Sequence, residues 1–151
     1  MNSDLNGRVA LVTGSVQGIG LAIAKSLAEQ GARIALHRLA DVAKIAEVIK
    51  MMKEAGASDV CFFEGDMCDP DAIEVLIDAV EVWGPLDVLV NNAGIQKTVS
   101  LQDLTQDIWD AIIAVNLSGA LHTMRHAMPR MAERGYGRVI NIASVHGLVA
   151  S

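Results

Sequence analysis

The chain has 151 residues, the length of one ordinary domain and enough to bury a core. Hydrophobic residues make up 52% and charged ones 20%, which excludes intrinsic disorder, and with only 3% aromatics the core must be filled by aliphatic side chains. A formal charge of −6 argues against a nucleic-acid partner, whose phosphates require a basic face, and no apolar run reaches the length of a membrane span.

That aliphatic palette suits a parallel sheet covered by helices on both faces. Met1 to Gly7 has neither the basic start nor the apolar stretch of a signal peptide, and Cys61 and Cys68 lack CxxC spacing. Both cysteines read as reduced thiols, so the expected setting is the cytoplasm and no structural metal is expected.

Val9 to Val12 predicts a buried strand ending at Thr13-Gly14. Ile19, Ile23 and Leu27 then predict the inward face of a helix that begins near Gly18 and stops at Gly31. Ile34 to Leu36 is a second strand. Asp41 is the expected cap of a helix whose stripe is Val42, Ile45, Ile49 and Met52, ended by Gly56. Val60 to Phe63 is a third strand. Asp69-Pro70 is a cap with a first-turn proline, followed by an inward face of Ile73, Leu76, Val80 and Trp83 before Gly84.

Val88 to Val90 is a fourth strand. A helix is expected to start near Thr105 and a long one to run through about Arg130, with a join near Asn116; Val139 to Ile142 is a fifth strand. The strict alternation of strand and helix predicts right-handed crossovers and a single α/β domain with a parallel sheet. His122 and His126 have the spacing of a zinc pair on a helix, but no third ligand or Glu accompanies them, so a packed or solvated face is expected. Met51, Met52, Met124, Met128 and Met131 read as core and interface filler.

Two spots carry chemistry. Thr13-Gly14-Ser15-Val16-Gln17-Gly18-Ile19-Gly20 joins the first strand to the first helix. Glycines there let the backbone turn tightly and approach a pyrophosphate, whose charge then rests on the helix N-terminus. The spacing is Gly-x-x-x-Gly-x-Gly, and taken alone it is also compatible with a turn that serves only helix–strand packing. Asn91-Asn92-Ala93-Gly94 lies at the carboxyl end of the fourth strand, where such sheets bind ligands, although alone it also reads as a plain Asn-Gly turn.

With these two runs the sequence resembles the short-chain dehydrogenase/reductase family. Thr13 to Gly20 is similar to that family's Thr-Gly-x-x-x-Gly-x-Gly, and Asn91 to Gly94 to its Asn-Asn-Ala-Gly. The resemblance implies a Rossmann-like, doubly wound parallel sheet of order 3-2-1-4-5. It implies cofactor contacts from Gly14, Ser15, Gln17, Gly18, Ile19, Gly20, Asp66, Met67, Asn92, Ala93 and Gly94, with Asp66 holding the adenine edge. Asn116 and Ser144 match the asparagine and serine of the family's catalytic tetrad, in which the serine orients the reacting oxygen and the asparagine helps hold a proton-relay water.

The tetrad's Tyr-x-x-x-Lys has no counterpart here: the single tyrosine, Tyr136, is followed four places on by Ile140. The expectation is therefore a fold truncated after strand five and inactive by itself.

Within the family, Ile95-Gln96 and the segment Ile142 to Ser151 look like the 3-hydroxybutyrate dehydrogenases. That likeness implies that Gln96 and His146 bind a substrate carboxylate while Ser144 touches the oxygen on the reacting carbon. The chemistry is apt, because an amide and an imidazole donate to a carboxylate and a hydroxyl polarises a carbonyl.

The expected cofactor is NAD, with NADP not excluded. His37-Arg38-Leu39 lacks the acid that often binds the ribose of NAD, and Arg38 is suited to the extra phosphate of NADP. Gln17, however, stands where relatives that use NADP often have a basic residue. The expected partner is a small hydroxy acid, with neither nucleic acid nor membrane, and a full-length parent is expected to be a homo-oligomer. Two other functions fit the same residues: a non-catalytic nucleotide-binding fragment or subunit, and an enzyme like the 3-oxoacyl reductases.

Overall fold

The computed structural model describes residues 5–38 and 42–149. Five parallel strands form one sheet in the order β3-β2-β1-β4-β5: β1 (Val9–Val12), β2 (Arg33–His37), β3 (Asp59–Phe63), β4 (Leu86–Asn91) and β5 (Arg138–Asn141). The predicted strand order is the observed one. Val12 lies opposite Leu36 of β2 and Val90 of β4, so the central strands end level and their following loops open on one edge.

β1 is buried along its whole length and feeds both layers of the fold. Val9 and Leu11 face the side of α3 (Pro70–Trp83) and α5 (Gly119–Glu133), meeting Ile73, Ile77 and Val80. Ala10 and Val12 face the other side, with α1 (Gly18–Glu29) and α2 (Val42–Ala55). This is the period of two expected of a central strand. Each fully buried Leu, Ile or Val contributes about 1.5–3 kcal/mol, so the two layers hold the strand ends firmly.

The inward face of α1 differs from the sequence expectation. Gly20, Ala24 and Ala28 are buried, Ile23 and Leu27 lie at the margin, and Ile19 is 66% exposed. The first turn passes close over the loop after β1, where only glycine fits at position 20, and Ala24 and Ala28 pack into the layer beneath the sheet. In α2 the buried positions are Val48 and Met52, with Ile45 and Ile49 half-buried; the cap assigned to Asp41 lies outside the described residues. α3 matches its prediction closely: Asp69 Oδ1 accepts the Asp71 N–H at 2.9 Å and Pro70 opens the helix.

The join predicted near Asn116 is a π-helical turn, Ala114–Ser118, between α4 (Gln106–Ile113) and α5. The Gly119 N–H bonds back to the Ala114 carbonyl, so the axis continues and one residue is extruded rather than the helix broken. Gly119 also lets Met67 approach, since a Cβ there would meet its Cε at 3.1 Å. Met52 and Met131 belong to the core, whereas Met128 is 49% exposed.

Asp87 fills a fault in the β1–β4 ladder. The register skips it, passing from Leu86 opposite Val9 to Val88 opposite Ala10. Its carboxylate accepts the Val9 N–H at 3.1 Å and pairs with Arg8 at 3.0 Å. Among the described residues no helix is long and apolar enough to cross a membrane.

Candidate nucleotide-binding site

The loops at the carboxyl ends of β1, β2, β3 and β4 enclose a crevice of about 460 Å³, within the size range of small-molecule sites. One wall is Gly14, Gln17, Gly18, Ile19 and Gly20; the facing wall is Asn92, Ala93, Gly94 and Ile95. Asp66, Met67 and Cys68 close one end beside His37 and Arg38, and Val115 of the π turn reaches in as well.

The two glycine-bearing runs are locked to each other. Thr13 Oγ1 accepts the N–H groups of Asn92 at 3.0 Å and Ala93 at 2.9 Å. In return, Asn92 Nδ2 donates to the carbonyl oxygens of Thr13 at 3.0 Å and Gly14 at 3.3 Å. Gly14 has φ +66°, a conformation that favours glycine. A Cβ on Gly20 would overlap both the Gly14 carbonyl oxygen and Asn92 Nδ2, so the first helical turn rests directly on this lock. Gly14 and Gly20 thus serve packing, and the same loops line the crevice.

The start of α1 is suited to an anion. Gln17 stands at its N-cap without a side-chain cap bond, and the first turn has no acidic residue. Helices α3 and α4 differ, being capped by Asp69 and Thr105. The first N–H groups of α1 therefore point to the crevice without a side-chain acceptor, which is what a phosphate requires. Gln17 uses its Oε1 to accept from Arg38 at 3.0 Å across the mouth.

Ser15 is fully buried and faces away from the crevice: its Oγ accepts the His37 N–H at 2.9 Å and its own N–H donates to the His37 carbonyl at 3.0 Å. Asp66 is exposed at the crevice end, one carboxylate oxygen accepting the Cys68 N–H at 2.8 Å. Burial, together with the neighbouring Asp66 carboxylate, pushes the Cys68 thiol above its ordinary pKa.

Asn116 grips the backbone of Ile95 from both sides. Its Oδ1 accepts the Ile95 N–H at 2.8 Å and its Nδ2 donates to the Ile95 carbonyl at 2.9 Å. This fixes the chain leading to Gln96, which is exposed on the loop. Ser144 lies after β5, where its carbonyl accepts the Gly147 N–H at 3.0 Å and starts the turn Val145–Gly147. The backbone of His146 is in that turn; its side chain lies outside the described part. Gln96 and Ser144 are not among the residues that line the crevice, which brings together the assigned cofactor residues other than Ser15.

The structural roles of three residues of this site escaped the sequence reading. Thr13 was read as the first residue of the glycine run, without a role of its own. His37 was noted only for the acid it is not. Asn91 Nδ2 donates to Asn141 Oδ1 at 2.8 Å, and Asn91 Oδ1 accepts from Thr123 Oγ1 at 2.6 Å, tying β4 to β5 and α5. Buried polar residues at strand ends were the available signal, since each must find a partner.

Tyr136 sits before β5, at the edge opposite the crevice, with the guanidiniums of Arg8 and Arg138 at 3.8 and 4.8 Å from its ring centre. It is a structural residue.

The profile of the short chain dehydrogenase family matches residues 8–151. D-beta-hydroxybutyrate dehydrogenase of Cupriavidus necator is 49% identical over 151 residues, covering 97% of this chain and 57% of its own length. The chain thus spans little more than half of that relative. Among solved structures, a 3-oxoacyl (acyl-carrier-protein) reductase from Agrobacterium tumefaciens with NADP bound superposes with a TM-score of 0.90 at 37% identity. That match covers 97% of this chain and 56% of the reductase. An NADH-dependent reductase complexed with NAD gives a TM-score of 0.89 at 32% identity, over 97% of this chain and 63% of its own. From the sheet order, the interlocked glycine loops and these matches, the chain belongs to the short chain dehydrogenase family.

Proposed function

We propose that this chain is the cofactor-binding portion of an NAD-dependent 3-hydroxybutyrate dehydrogenase. The observation that carries the nucleotide part is the uncapped start of α1, opening on a crevice with Asp66 at its far end. Its N–H groups and the backbone of Gly14 to Gly20 receive the pyrophosphate, and the Asp66 carboxylate accepts from the adenine amine. Asn92, Ala93 and Gly94 present backbone along the nicotinamide half. When bound, the nicotinamide accepts or returns a hydride.

The substrate part rests on the 49% identity to the Cupriavidus necator enzyme and on Gln96, Ser144 and His146. In this reading the amide and imidazole hold the carboxylate, Ser144 orients the reacting oxygen, and Asn116 keeps the Ile95–Gln96 backbone in place. NAD is preferred because the extra phosphate of NADP must first displace Gln17 from Arg38. The polypeptide 1–151 by itself binds cofactor without turnover, since its single tyrosine lies at the wrong edge of the sheet. Its compartment in this reading is the cytoplasm, and the assembled parent is a homo-oligomer.

A second reading, a 3-oxoacyl reductase, is favoured by the NADP-bound neighbour. A chimera decides between them: residues 1–151 joined to the remaining C-terminal part of the Cupriavidus necator relative. NAD-linked oxidation of 3-hydroxybutyrate is the expected result; NADPH-linked reduction of a 3-oxoacyl thioester in its place would favour the second reading.

A further inference from the structure

His37 ends β2 between two loops of the crevice and is 2% exposed. Both ring nitrogens are engaged. Nδ1 accepts the Gly14 N–H at 3.2 Å, and Nε2 lies 3.0 Å from the Gly65 carbonyl oxygen. A nitrogen that accepts carries no proton, so the ring is the neutral tautomer with its hydrogen on Nε2, donating to Gly65. The His37 backbone is bonded to Ser15 in both directions. One residue therefore joins the start of the phosphate loop to the residue just before Asp66.

We propose that neutral His37 is a positioning residue for the dinucleotide, setting the distance between the Gly14 loop and Asp66, and that its protonation weakens cofactor binding. This rests on the nucleotide reading above. An imidazolium would carry a hydrogen on Nδ1 and point it at the Gly14 N–H, donor against donor, so the loop must move for the ring to charge. Burial acts in the same direction, lowering the imidazole pKa from 6.5. The Gly65 hydrogen bond opposes burial and is the smaller effect. The loop after β1 contains no titratable group from Thr13 to Gly20. Arg38 is engaged by Gln17, and Asp66 by the Cys68 N–H, so neither is hydrogen-bonded to the ring.

The test is calorimetric titration of NADH into the wild type, His37→Asn and His37→Phe at pH 8 and 5.5, with circular dichroism to verify folding. An Asn amide oxygen replaces Nδ1 as acceptor and does not titrate, whereas Phe fills the volume and accepts nothing. At pH 8 the Asn variant is expected within about threefold of wild type and the Phe variant about tenfold weaker, the effect of an N–H left without its acceptor. Between pH 8 and 5.5 the wild type is expected to weaken, by at most about tenfold as set by the ordinary imidazole value, while the Asn variant stays level. A folded Phe variant that binds like wild type overturns the proposal. Equal acid losses in wild type and Asn overturn it too, and decide the matter if the Phe variant does not fold. A wild type that binds neither NADH nor NADPH at pH 8 overturns the nucleotide reading and this inference with it.

Discussion

Gly20 is the residue with the least latitude in the crevice, because a methyl group there meets the Gly14 backbone and the Asn92 amide that is hydrogen-bonded to it. Gly20→Ala must push Gly14 and Asn92 away from the first turn of α1. The expected cost is about tenfold in NADH affinity, the equivalent of one charge-assisted hydrogen bond, measurable by titration calorimetry. Unchanged affinity would mean that the loop is not the phosphate site.

At the substrate end, His146→Ala in the chimera should raise KM for 3-hydroxybutyrate by roughly ten- to a hundredfold and leave NAD affinity alone. An equal loss for both ligands would remove the carboxylate role. The residues that repeat family spacings were legible from sequence, whereas His37 was not, because its role comes from Gly14 and Gly65, which are brought to it by separate strands.

The same logic holds for elements. Strands and helices were legible because burial on two faces and caps such as Asp69-Pro70 are written locally. The face of α1 was not: apolar spacing points to Ile19, but close packing on the loop after β1 and on the sheet buries Gly20, Ala24 and Ala28. The π turn was legible only as a join, and its Asn116 holds the backbone of Ile95, which a separate loop brings to it.

Asp87, in the skipped β1–β4 register, carries another prediction. Asp87→Ala strands the Val9 N–H and leaves Arg8 without its carboxylate. A loss of about 1–3 kcal/mol is expected in urea unfolding; a loss below about 0.5 kcal/mol would show the ladder closing without it.

Stability should also follow the charge state of the β2 end. The folded pKa of His37 lies below its unfolded value of 6.5, so the unfolded chain takes up the proton first as pH falls. Its contribution is complete above about pH 6.5 and is lost progressively below it, until the folded value is reached. The thermal midpoint of wild type should therefore drop more between pH 7.5 and 5 than that of His37→Asn. Parallel curves would place the titration elsewhere.

For the whole molecule, the sheet supplies a rigid edge on which separate loops meet, and the central claim is that this edge is a nicotinamide dinucleotide site. Trp109, Leu121 and Met128 are exposed on α4 and α5, consistent with the homo-oligomer proposed for the parent. The most direct measurement is titration of NADH and NADPH into the folded polypeptide at pH 8, beside Gly20→Ala. Saturable binding is expected, tighter for NADH than for NADPH and about tenfold weaker in the variant. A folded polypeptide that binds neither nucleotide, or a variant that binds both as well as wild type, would contradict that claim.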